Sequence, residues 1–91
     1  MSRKYSMAEW AEHYARHAHI AQTDADNHAK AAAEAEAEGE QARAAYLRSE
    51  AEAHQKLADN YSADAARCAR KAEQLDDYRQ AYGRQHRDTG A

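Results

Sequence analysis

The chain has 91 residues and a formal net charge of −3, with 25 alanines, no proline, phenylalanine or valine, and only three leucines, one isoleucine and two methionines. So few β-branched residues exclude a sheet, and so few large aliphatics exclude a large monomeric core. Helix remains, because alanine loses no side-chain entropy there.

Cys68 is the only cysteine, so no intrachain disulfide can form and a reducing, cytoplasmic setting is expected. No apolar run approaches the ~20 residues of a membrane span, and no signal-peptide core is visible. One domain with no membrane association and no cofactor is the expectation.

Residues 1–6 read as a short basic arm. Ser6-Met7-Ala8-Glu9 matches a capping box, so helix one is expected over residues 7–38. Ala11, Ala18, Ala25 and Ala32 recur at seven-residue intervals along it. The full inner stripe is Met7, Ala11, Tyr14, Ala18, Ala21, Ala25, His28, Ala32 and Ala35. Thr23-Asp24-Ala25-Asp26-Asn27 is its weakest stretch, since such side chains compete for local backbone hydrogen bonds. Gly39 then supplies a left-handed cap, and residues 39–40 form the turn.

Helix two is expected over residues 41–82. Its alanines repeat in a second register: Ala44, Ala51, Ala58, Ala65 and Ala72. Leu47, His54, Tyr61, Cys68, Leu75 and Tyr82 complete that stripe. Gly83 is read as its stop, with residues 83–91 a flexible tail. A seven-residue repeat marks helices lying along one another, and the phase break marks a change of helix.

Folding at Gly39-Glu40 pairs residues whose numbers sum to 79. Alanine then faces a partner in every layer, as in Ala32 with Leu47, Ala21 with Ala58 and Tyr14 with Ala65. About 30 paired residues at ~1.5 Å each make a rod of roughly 45 Å. The expected fold is all-α: an antiparallel two-helix hairpin, an alanine-rich coiled coil that dimerises into a four-helix bundle. The alternative is one continuous helix that pairs between chains.

Helix two outruns helix one, so Leu75, Tyr78 and Tyr82 extend past the start of helix one near Tyr5 and Trp10. Large side chains beyond an alanine seam need a covering surface. The function expected first is therefore a non-enzymatic protein-interaction module: a small adaptor, regulator or inhibitor acting through a helix face. Its partner is a second copy, another protein, or both. Trp10, Tyr46, Leu57, Tyr61, Leu75, Tyr78 and Tyr82 are the expected contacts. Leu57 and Tyr46 lie beside the seam and can face a second hairpin while the seam stays closed.

Two other classes are open. Arg67, Arg70, Lys71, Arg79, Arg84 and Arg87 interleave with Tyr78 and Tyr82, and arginine neutralises phosphate while tyrosine stacks on bases. Antiparallel hairpins that dimerise into four-helix bundles include a plasmid-encoded RNA-binding regulator, to which this architecture is similar in outline. Glu73, Asp76, Asp77 and Asp88 interrupt the basic run, which weighs against RNA or DNA. Six histidines raise metal binding as the other class. His13 and His17 are one turn apart, and Asp24, His28, Glu50 and His54 can converge across the hairpin. The di-iron Glu-x-x-His and the His-Glu-x-x-His patterns are absent. Cys68, opposite Ala11, reads as a small packed hydrophobe, and an enzyme is not expected.

Overall fold

The computed structural model describes residues 4–89, with side chains to residue 83. Two helices, α1 (Met7–Ala37) and α2 (Gln41–Thr89), pack against each other as a hairpin. At 79 × 28 × 12 Å the chain is a slab-like rod. Its radius of gyration of 21.5 Å contrasts with about 12 Å for a compact chain of this length.

The capping box forms as read. Ser6 Oγ accepts from the Glu9 amide at 3.1 Å, and the Glu9 carboxylate accepts from the Ser6 amide at 3.4 Å. The Thr23–Asn27 stretch stays helical, and the Thr23 hydroxyl bonds back to the His19 carbonyl at 3.0 Å. Glu38 caps α1, and Gly39 adopts φ +79°. The Gly39 amide donates to the Glu36 carbonyl at 3.0 Å and the Glu40 amide to the Ala35 carbonyl at 2.9 Å. These two bonds are the Schellman pattern, which satisfies carbonyls that the helix end would otherwise orphan.

The alanine seam is the core. The buried hydrophobic residues are Ala18, Ala21, Ala25, Ala32, Ala35, Ala44 and Ala58, and all lie on the two expected stripes. Small side chains let the two backbones approach closely, so dispersion between them replaces bulky interdigitation. Met7, Tyr14, His28, Leu47, His54, Tyr61 and Cys68 are half-buried along its margins.

The end of α2 differs from expectation. The helix runs through Gly83 to Thr89 instead of stopping at Tyr82, so the tail proposed for residues 83–91 is helical as far as it is described. Gly83 is not among the positive-φ residues; glycine in a helix lowers stability by ~1 kcal/mol but does not force a stop. With 49 residues against 31, α2 projects well past the start of α1. Leu75 borders the first turn of α1 in a groove with Met7 and Ala8, Tyr78 and Tyr82 lie farther along the overhang, and all three are exposed. Residues 1–3 of the basic arm lie outside the described residues; Lys4 and Tyr5 are exposed.

Candidate functional site

The seam has two unlike margins. An α-helix turns ~100° per residue, which places Gln22 about 140° around α1 from His17 and Gln55 about 120° around α2 from Tyr61. On the glutamine margin, Gln22 and Gln55 exchange two amide hydrogen bonds, each 2.8 Å long. The second hydrogen of each amide nitrogen goes to a carboxylate one turn on, Asp26 at 2.9 Å and Asp59 at 3.0 Å. Arg48 and Glu36 bridge the helices at 2.6 Å nearer the turn.

The other margin is aromatic. Tyr5 meets Trp10 edge-on at 5.4 Å, and Trp10 meets His13 at 5.5 Å and Tyr14 at 5.7 Å. His13 lies 4.4 Å from His17, and both Tyr14 (6.2 Å) and His17 (5.2 Å) reach Tyr61 on α2. Such ring pairs favour edge and offset geometries and add ~0.5–1.5 kcal/mol beyond their buried area. Trp10 and Tyr61, read from sequence as partner contacts, are thus half-buried within this array, where their rings already have neighbours.

Towards the turn on the same margin, His28 and His54 stack across the helices at 4.9 Å. His28, Glu50 and His54 bring their ligand atoms within 4.8 Å of one another. His54 Nε2 lies 4.0 Å from Glu50 Oε2. His28 Nδ1 is 2.7 Å from the Asp24 backbone oxygen. A carbonyl can only accept, so Nδ1 carries a proton, and in the neutral form of the ring Nε2 then holds the lone pair. Of the four residues expected to converge, the Asp24 carboxylate falls outside the cluster, and its main chain takes part instead. His13 and His17 belong to the ring array, and Glu9 is engaged by the helix cap.

The remaining contact residues are exposed: Tyr46, Leu57, Leu75, Tyr78 and Tyr82 at 43–67%. Tyr46, Leu57, Leu75 and Tyr82 are spaced at 11, 18 and 7 residues, each within ~20° of whole helical turns. They form one line along α2. Ile20 and Tyr5 were not among the expected contacts, yet both are more than half exposed. Ile20 sits one residue before the seam residue Ala21, level with Leu57. A lone aliphatic one step off the repeat leaves no periodic signal.

The basic set divides. Arg67 pairs with Asp64 one turn back. Met7 and Cys68 share a shallow groove with Arg67, Arg70 and Lys71. Arg79 lines another with Tyr5, Met7 and Leu75. The side chains of Arg84 and Arg87 lie outside the described residues. No helix among the described residues is long and apolar enough to cross a membrane.

No family model, curated protein or solved structure matches this chain.

Proposed function

We propose that this chain is a non-enzymatic protein-interaction module of the cytoplasm whose first partner is a second copy of itself, packed along the exposed apolar line of α2. The observation that carries this reading is an inversion of the usual distribution. The buried core holds only alanine, while Tyr46, Leu57, Leu75 and Tyr82 stand exposed in one file. Aligned large side chains at helical spacing suit another helix.

Area supports a partner of this size. The chain exposes 7291 Å², against about 5300 Å² for a compact monomer of its mass. The excess of about 2000 Å² is comparable with the area that a stable interface removes from water. Ile20 and Leu57, level with each other on the two helices, would lie under the second hairpin. The overhanging end of α2, with Tyr78 outside the file, is left to present to a further protein as an adaptor or regulator would.

The test is a light-scattering mass at micromolar concentration. Two chains per particle are expected for the native sequence, and one chain for Tyr46→Glu/Leu57→Glu, with helical circular dichroism retained in both. A native mass of one chain, or a dimer unaffected by the double substitution, overturns the reading. Salt-sensitive retention of RNA or DNA by the monomer would transfer the function to the basic end of α2.

A further inference from the structure

We propose that His28, Glu50 and His54 form a metal site that ties α1 to α2 and takes a divalent transition ion of the Zn2+ kind. Two imidazoles and a carboxylate are a donor set that zinc uses, with bonds of ~2.0–2.2 Å. Donors on a tetrahedral ion at that distance sit roughly 3.4 Å apart. The three ligand atoms already lie within 4.8 Å of one another without an ion. Rotation of half-exposed side chains closes the difference and leaves both backbones in place.

A second observation points the same way. The His28 ring is anchored through Nδ1 on the Asp24 main-chain oxygen at 2.7 Å. A metal-binding imidazole is typically held like this, with its other ring nitrogen donating to a carbonyl or carboxylate. The anchor sets the tautomer and leaves the Nε2 lone pair for an ion. On α2, Glu50 and His54 are one turn apart, so a single helical face supplies two donors. Their side chains are 39% and 30% exposed, so an ion can enter without opening the seam.

The donors also select the ion. Calcium and magnesium prefer oxygen ligands, whereas two nitrogens favour zinc, copper or nickel. Three protein ligands leave a fourth position for water. Since the donors come from both helices, an ion bound here stabilises the hairpin over the unfolded chain. All three donors belong to one chain, so no residue of a second copy is needed to complete the site.

The test uses untagged, chelator-stripped protein, titrated calorimetrically with Zn2+ and optically with Co2+, and melted with and without Zn2+. One ion per chain is expected, with the visible Co2+ bands of a four-coordinate site. Free Zn2+ at a hundred times its Kd should shift the folding equilibrium about a hundredfold. Glu50→Gln and His54→Gln should each weaken binding by at least about tenfold. His13→Gln/His17→Gln should bind as the native chain does. Metal-free melts of each variant separate a lost ligand from a lost fold. An unchanged melt at saturating Zn2+ overturns the proposal. So does binding that survives His54→Gln but disappears in His13→Gln/His17→Gln.

Discussion

The glutamine margin and the imidazole margin bound the same alanine seam, but they resolve their polar atoms differently. On the first, Gln22 and Gln55 use all four amide hydrogens within the protein, and each carbonyl accepts one of them across the seam. On the second, stacked rings cross between the helices while a carboxylate and ring nitrogens converge at one point. A closed network fixes geometry, whereas an incompletely used one can take a ligand. The contrast assigns register and rigidity to one side and the proposed metal binding to the other.

The contrast can be broken at its root by overfilling the seam. Ala58 is 2% exposed, so Ala58→Leu must push the helices apart. A loss of about 1–3 kcal/mol is expected by thermal melting, with both margins loosened together. The glutamine pair is the next lever. Gln55→Ala should lower stability by about 1–2 kcal/mol, and a double-mutant cycle with Gln22→Ala should show coupling near 1 kcal/mol. The imidazole margin should keep its ligand response in those variants. The smallest effect belongs to the half-exposed Arg48–Glu36 pair. Arg48→Ala should lower stability by less than about 1 kcal/mol, and the difference should shrink further in high salt.

The seam was legible because burial repeats. Each buried alanine stands at a heptad position, and the glycine between the two registers marks the turn. The end of α2 was not legible, since Gly83 resembles Gly39 in sequence and only backbone conformation distinguishes them. Of the candidate metal residues, His28, Glu50 and His54 follow from counting turns. The Asp24 side chain does not, because turn counting places a residue on a face and leaves its rotamer open. The Gln22–Gln55 clasp escaped for another reason. A single uncharged pair carries neither periodicity nor charge contrast, and it emerges only when the two helices are set at their true spacing.

Gly39 has one more consequence. Its left-handed backbone, with open space around the position where a side chain would stand, is the only positive-φ residue among those described. Were residues 38–40 helical, α1 and α2 would join end to end, and the step from Ala32 to Ala44 would turn the second alanine stripe about 120° away from the first. No single straight neighbour could then cover both stripes. The one left-handed residue therefore converts two misaligned stripes into facing halves of a closed zipper.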